Sequence, residues 1–171
     1  MPTARVACQA DVTAIAELWV AANAARHAEL RLPLGPVAGV GIAEAERQVQ
    51  RRLADPASFA QLVEADGTLL AVALVLQALD RDGASPDPLP GLAHVSMVAV
   101  RPGRWGQGLG AHVLGLAQLE ARRRRFARAQ LWTHETNRRA QRLYERLGWK
   151  ASGRTKIDDY GEPIRHYARD L

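Results

Sequence analysis

The sequence "HVSMVAVRPGRWGQGLGAHVL", residues 94–114, joins a strand-like segment to a helix-like segment through four closely spaced glycines. The apolar run at residues 94–100 predicts a buried strand, and apolar side chains recur at helical spacing from Leu109 onward. Glycine lets a backbone approach a ligand closely, and the N–H groups at a helix N-terminus attract anions. The segment therefore predicts either an anion-binding turn or a tight structural connection.

The length and composition predict one cytoplasmic domain spanning residues 1–171. The single cysteine, Cys8, excludes an internal disulfide and suits a reducing compartment. The first residues lack a charged leader followed by an apolar core. The longest apolar run, residues 69–76, is too short to cross a bilayer, so we expect no membrane partner.

The formal net charge of +5 raises nucleic acid as a partner. Much of the excess lies in residues 121–128, at the end of a predicted helix, where cations complement the helix dipole. The sequence shows neither a stacking-aromatic pattern nor helix-turn-helix spacing, which disfavours a nucleic-acid-binding domain. A small polyanionic cofactor accounts for the charge equally well.

Four segments have the apolar spacing of helices. The first follows Asp11, a candidate N-cap, and the second stops before Pro56. The third begins in the glycine turn, and the fourth runs from Asn137, a candidate N-cap, to Gly148.

Six further segments predict strands. The dipeptide of Asp66 and Gly67 indicates a hairpin between the first two, and Tyr160 and Gly161 mark a turn between the last two. Residues 31–41 and 80–91, broken by proline and glycine, predict loops. The order ααβββαβαββ indicates one α/β domain with a mixed sheet.

The glycine turn is a poor match to a dinucleotide-binding Rossmann unit. The residues "RPGRW" separate the strand from the later glycines, and a hairpin precedes the strand. The next strand ends at Glu135, which is a weak counterpart of the acidic residue that such units place on the ribose. These mismatches disfavour a Rossmann unit.

Two motifs together resemble the GNAT family of N-acetyltransferases. "VAVRPGRWGQGLGAHVL" resembles the family's acetyl-CoA-binding segment, Arg/Gln-x-x-Gly-x-Gly/Ala, and "NRRAQRLYERLGW" resembles its Asn-x-x-Ala-x-x-x-Tyr-x-x-x-Gly-Phe stretch. The resemblance implies a GNAT-like α/β domain, with a mixed, mostly antiparallel sheet of six to seven strands flanked by about four helices. It also implies transfer of an acetyl group from acetyl-CoA to a primary amine, with no metal.

The resemblance assigns the cofactor to the glycine turn and the strand before it. Trp105 stands where the family has Arg or Gln, so Arg104 is the alternative phosphate contact and packing is the alternative role for Trp105. The cofactor-binding residues implied are Val98, Ala99, Val100, Arg104, Trp105, Gly106, Gln107, Gly108, Leu109, Gly110, Ala111, Asn137 and Tyr144.

The resemblance implies Tyr144 as the acid and His94, which stands where several family members have an acidic residue, as the base. By resemblance, Tyr144 protonates the leaving thiolate; its alternative role is a half-buried core tyrosine. Strand alternation puts His94, Ser96, Val98 and Val100 on one face. A histidine with a pKa of ~6.5 can accept the proton of an amine near neutrality. A structural histidine is the alternative for His94, and the sequence also offers His134 or Glu135 as the base.

The acceptor amine is not identified by the sequence. In the family it lies against the loop between the first two helices and the last hairpin, where Asp158, Asp159 and Glu162 could attract a cationic amine. A non-catalytic acyl-CoA sensor is the alternative function, and a homodimer is left open.

Overall fold

The computed structural model describes residues 2–31, 41–79 and 88–171, so most of both predicted loops lies outside the described residues. All ten predicted elements are present, together with one further strand. The helices are α1 Val12–Leu30, α2 Ile42–Leu53, α3 Leu109–Arg123 and α4 Arg138–Arg146. The strands are β1 Thr3–Val6, β2 Phe59–Ala65, β3 Thr68–Gln77, β4 Leu92–Val100, β5 Arg128–His134, β6 Lys150–Ile157 and β7 Pro163–Asp170.

The strands form one sheet in the order β1-β2-β3-β4-β5-β7-β6. Every neighbouring pair is antiparallel except β4 and β5, which run parallel. Asp66 and Gly67 both have positive φ, 51° and 71°, as the two central residues of a type I′ hairpin turn do. The mixed, mostly antiparallel sheet that the resemblance implies is confirmed.

Helices cover both faces of the sheet, which explains why β2 and β3 are apolar at nearly every position. α1 and α2 pack on one face, where the core contains Ile15, Val49, Leu62, Val72, Leu74, Met97 and Ala99. α3 and α4 pack on the other, where the core contains Phe59, Val63, Val75, Val95, Val113, Leu131 and Tyr144. None of the described helices is both long and apolar enough to cross a membrane.

The edge strand β1 was not predicted, because all four of its residues are exposed and leave no burial pattern. Arg5 holds it in place by hydrogen bonds to the carboxylates of Glu64 and Asp11. Asp11 does precede α1, but its carboxylate accepts from Arg5 and from the N–H of Cys8 rather than from the helix. Asp11 therefore occupies the predicted N-cap position. Its side chain does not cap the helix and instead stabilises the preceding turn.

Candidate active site

The parallel strands β4 and β5 separate partway along their length. Their pairing runs from Leu92 opposite Arg128 to Val95 opposite Leu131 and then stops, although both strands continue. On the other side of β4, the register with β3 shifts so that Ser96 is an extra, bulged residue. A bulge bends a strand, and here it lies where the two strands part. The sheet is therefore open between the ends of β4 and β5.

The bulge also changes which residues of β4 share a face. Val98 and Val100 pack toward α3 and α4, while Met97 and Ala99 pack toward α1 and α2. His94 pairs with Leu76, which belongs to the α1 and α2 face. The expectation that His94 shares a face with Val98 and Val100 is therefore wrong, because the extra residue reverses the alternation.

A cavity of about 230 Å³ occupies this opening and reaches both helical layers. From the α1 side it is lined by Trp19, Ala22, Asn23 and Arg26, and from the sheet by residues 96–100 and Trp132, Thr133 and His134. From the other side it is lined by Trp105, Gly110, Asn137, Arg139, Ala140, Leu143 and Tyr144. Two reactants entering from opposite faces of the sheet can meet in such a cavity.

Seven of the predicted cofactor residues line this cavity: Val98, Ala99, Val100, Trp105, Gly110, Asn137 and Tyr144. Arg104, Gly106, Gln107, Gly108, Leu109 and Ala111 lie beside it, in the glycine turn and the first turn of α3. His94 is not among the lining residues. The structure thus brings the two predicted motifs together and leaves the predicted base to one side.

The glycine turn has the conformation that an exposed row of N–H groups requires. Gly103, Gly106 and Gly108 all have φ of +80°, a conformation that L side chains rarely adopt. The first helical hydrogen bond of α3 runs from the N–H of His112 to the carbonyl of Gly108. Within the described residues, no acceptor bonds to the N–H groups of residues 105–111. These donors, at a helix N-terminus, suit an anion.

Gly110 is required for a different reason, which is close packing. A Cβ there would lie 3.1 Å from Cδ2 of Leu143 and 3.5 Å from Cγ2 of Val100. The absence of a side chain therefore lets α3 approach α4 and the end of β4, and this brings the two motifs into contact.

Trp105 closes one end of the cavity by packing. Its indole Nε1–H donates to the carbonyl of Val100 at 2.9 Å, and the Arg139 guanidinium lies over the ring, 4.4 Å from its centroid. Arg139 in turn donates to the carboxylate of Glu29 on α1 at 2.6 Å. Trp105 thus has the packing role that the sequence left open, in a position where it also lines the cavity.

Tyr144 combines a core position with access to the cavity. Its ring is buried, with its centroid 6.2 Å from that of Trp149 and 5.9 Å from that of Tyr167. Burial raises the pKa of its hydroxyl well above the usual value, so the group stays protonated at neutral pH. Among the described residues, no side chain or backbone group hydrogen-bonds to this hydroxyl. It can therefore donate a proton to a ligand.

Comparison with known proteins identifies the family. A sequence model of the Acetyltransferase (GNAT) family matches residues 28–149. This chain belongs to that family. The resemblance stated from the two motifs is confirmed, and with it the expectation of an acetyl-CoA-dependent acetyltransferase. No curated protein matches the sequence.

Solved structures share the GNAT fold at low sequence identity. A putative acetyltransferase from Salmonella typhimurium, solved with acetyl-CoA, is 21% identical, with 100% of this chain and 94% of that chain covered and a TM-score of 0.73. The ribosomal-protein-S18-alanine N-acetyltransferase from Escherichia coli is 19% identical over 100% and 94%, with a TM-score of 0.71. A PaiA N-acetyltransferase from Thermoplasma acidophilum, in complex with coenzyme A, is 13% identical over 97% and 98%, with a TM-score of 0.70.

His94 of this GNAT chain is a half-buried, neutral histidine. Burial lowers its pKa to about 4, and the positive charges of Arg52 and Lys156 and the neighbouring His166 contribute. Its Nδ1 is buried without a hydrogen-bond partner among the described residues. His94 is therefore in the neutral form that a base requires, but it stands outside the cavity.

His134, one of the two alternatives, lies in the cavity wall at the end of β5. Its Nε2 is 3.2 Å from the carboxylate of Asp158. Burial and the charge of Arg26 lower its pKa, while Glu162 and Asp158 oppose that shift. In the neutral imidazole, Nε2–H donates to Asp158, and Nδ1 is then the proton acceptor.

Two of the three carboxylates expected to attract a cationic amine, Asp158 and Glu162, already have hydrogen-bond partners. Glu162 accepts from the Arg26 guanidinium at 3.0 Å. Asp158 accepts from His134 and from the N–H groups of Tyr160 and Glu162. Asp159 is exposed on the turn. Asp158 and Glu162 therefore hold side chains of the cavity wall in place, whereas Asp159 is not among the residues that line the cavity.

Sequence reasoning missed the α1 wall of the cavity. Trp19 gives only the signal of an apolar position, and Arg26 was not considered. Positions 15, 19, 22 and 26 share one helical face, so an arginine on that otherwise apolar face was the available signal. Arg139 and Trp132 carried no comparable signal. In the described ranges, no group of three or more His, Cys, Asp or Glu side chains could hold a metal ion.

Proposed function

We propose that this GNAT enzyme transfers the acetyl group of acetyl-CoA to a primary amine, which attacks the thioester directly. The observation that carries the proposal is the cavity between β4 and β5, which connects the glycine turn with the α1 side of the sheet. A cofactor from one face and an amine from the other would meet there. Holding two reactants in line supplies much of the rate acceleration of such a transfer.

The cofactor is proposed to bind along the predicted set of residues. The N–H groups of residues 105–111 would hold the pyrophosphate, with Arg104 as a further phosphate contact. Beyond Val95, β4 has no β5 partner, so the backbone of residues 98–100 is free to brace the pantetheine arm. An N–H of the same segment would stabilise the negative charge that develops on the thioester oxygen.

The reaction needs one proton accepted and one donated. The amine nitrogen forms the new bond to the acetyl carbon, the carbon–sulfur bond breaks, and Tyr144 donates its proton to the departing sulfur. His134 is favoured over His94 as the acceptor of the amine's proton, because it lines the cavity and its Nδ1 is the free acceptor. Asp158 then acts as a positioning residue for the imidazole.

Thermal unfolding and thiol release together test this function. Acetyl-CoA is expected to raise the melting temperature, and a panel of primary amines is expected to yield at least one that releases free coenzyme A thiol. A protein that is stabilised by acetyl-CoA and releases no thiol with any amine would instead be an acyl-CoA sensor. We place the enzyme in the cytoplasm, in keeping with its single, exposed cysteine, Cys8.

A further inference from the structure

Arg52, near the end of α2, does not line the cavity itself but packs on a residue that does. Its guanidinium covers the ring of Trp19 at 5.4 Å from the centroid, and Trp19 lines the cavity. The pKa of Arg52 is lowered, chiefly by loss of solvent and also by Arg51, while Tyr160 opposes the shift. The guanidinium is thus a partly desolvated cation beside the α1 side of the cavity.

Within the described residues, no carboxylate lies within ion-pair distance of Arg52. Among the described residues, its guanidinium donates one side-chain hydrogen bond, to Oε1 of Gln48 at 3.5 Å. Glu44, which lies one turn before Gln48 on α2, is engaged by Arg47 and Arg51. A guanidinium has five N–H donors, and a desolvated charge without a partner is costly.

Two arginines that line the cavity do have carboxylate partners. Arg26 is paired with Glu162, and Arg139 is paired with Glu29. Lys156 and Arg154 lie over the ring of Trp132, another lining residue. On the α1 side of the cavity, cations therefore lie against two indole rings, and the guanidinium groups of Arg26 and Arg139 already have carboxylate partners.

This distribution favours one class of acceptor. Glu162 is paired with Arg26, and Asp158 already accepts hydrogen bonds from His134 and from two backbone N–H groups, so neither carboxylate is without a partner. An amine that also carries an anion would supply the charge that Arg52 lacks. Arginine binds carboxylates through two parallel hydrogen bonds, which fixes orientation as well as adding affinity.

We propose that the acceptor is a small amine carrying an anionic group, in the simplest case the carboxylate of a free amino acid, which pairs with Arg52 beside Trp19. The inference rests on the proposed acetyl transfer to an amine and adds the substrate class.

Steady-state kinetics with matched acceptors test the inference. Initial rates of thiol release are measured for free amino acids, γ-aminobutyrate and the carboxamide of each. In the wild-type enzyme, kcat/KM is expected to be at least tenfold higher for the preferred carboxylate than for its amide. Arg52→Gln is expected to bring that ratio near one, and Arg52→Lys is expected to restore part of it.

Arg51→Gln is the matched control. Arg51 is the neighbouring arginine on α2, its side chain is 75% exposed, and it faces Glu44 instead of Trp19. The carboxylate-to-amide ratio is expected to stay at the wild-type value in this variant. Circular dichroism and thermal melting establish that all three variants are folded.

Two results would overturn the inference. One is a wild-type enzyme that acetylates the amides, or simple alkylamines, as well as the carboxylates; this leaves the acetyltransferase function intact. The other is an Arg52→Gln enzyme that keeps the wild-type ratio. If no amine of the panel is acetylated, tryptophan fluorescence compares the binding of N-acetyl amino acids with that of their amides, and equal binding also contradicts the inference. The absence of any acetylated amine would, by itself, contradict the proposed acetyl transfer and not the inference about Arg52.

Discussion

Tyr144 has its ring in the core and its hydroxyl beside the cavity, so its two roles can be separated by a single atom. Tyr144→Phe keeps the contacts with Trp149 and Tyr167. We expect the free energy of unfolding to change by less than about 1 kcal/mol, because the hydroxyl has no described protein partner. A thiol of pKa ~8.5 leaves fairly easily, so kcat should fall only about 10- to 300-fold, at nearly constant KM for acetyl-CoA. Thiol-release kinetics measure kcat and KM, and urea denaturation measures the free energy of unfolding. Loss of stability with kcat intact would make Tyr144 a core residue alone.

The identity of the base can be determined from a pH–rate profile. With an acceptor of pKa ~8, log kcat/KM rises with slope one below pH 8, because only the neutral amine reacts. Below the pKa of the base, which burial and Arg26 lower for His134, the slope steepens to two. His134→Gln is expected to remove this break and His94→Gln to retain it. A break near pH 4 that disappears only in His94→Gln would instead support the base predicted from the sequence.

At the level of elements, the glycine turn contains two glycines that have the same backbone conformation and lie at different distances from the N-terminus of α3. Gly103 and Gly108 both have φ of +80°, and a Cβ at either position would have open space within 4 Å. Replacement by valine therefore strains both alike. Gly108→Val is expected to weaken acetyl-CoA binding at least tenfold by calorimetry, because Gly108, unlike Gly103, lies at the N-terminus of α3 within residues 105–111. Gly103→Val is expected to bind within about threefold of wild type. An equal loss of acetyl-CoA affinity in the two variants would indicate backbone strain alone. Unchanged affinity in Gly108→Val would contradict a pyrophosphate site in the turn.

Elements with local signals could be predicted from the sequence, and those set by pairing could not. Asn137 accepts from the N–H of Ala140, and Gly148 ends α4 with φ of +81°, both as expected. The bulge at Ser96 has no local signal, because "HVSMVAV" alternates equally well with or without it. The prediction of the sheet face on which His94 lies was wrong for that reason. Strand β1 was not predicted because an exposed edge strand has no burial pattern.

At the scale of the whole molecule, the cofactor side of the cavity was predictable and the α1 side was not. The glycine turn and the helix containing Tyr144 are short motifs that lie within about fifty residues of each other in the sequence. The opposite wall depends on contacts across the entire chain: Arg26 and Glu162 are 136 residues apart, and no periodicity connects them. Their contact joins α1 to the β6–β7 hairpin and gives His134 its surroundings.

That contact is expected to contribute to global stability, unlike a similar pair on the surface. The Arg26 side chain is 9% exposed, and Glu162 also lies 3.3 Å from His27. Glu162→Gln leaves the buried guanidinium without a countercharge, so the free energy of unfolding should fall by about 3 kcal/mol. Glu29→Gln breaks the Arg139 pair, in which both side chains are about half exposed, and should cost less than about 1 kcal/mol. Urea denaturation at neutral pH compares the two. Similar small losses in both variants would show that solvent replaces Glu162, and the hairpin would then be held to α1 by packing.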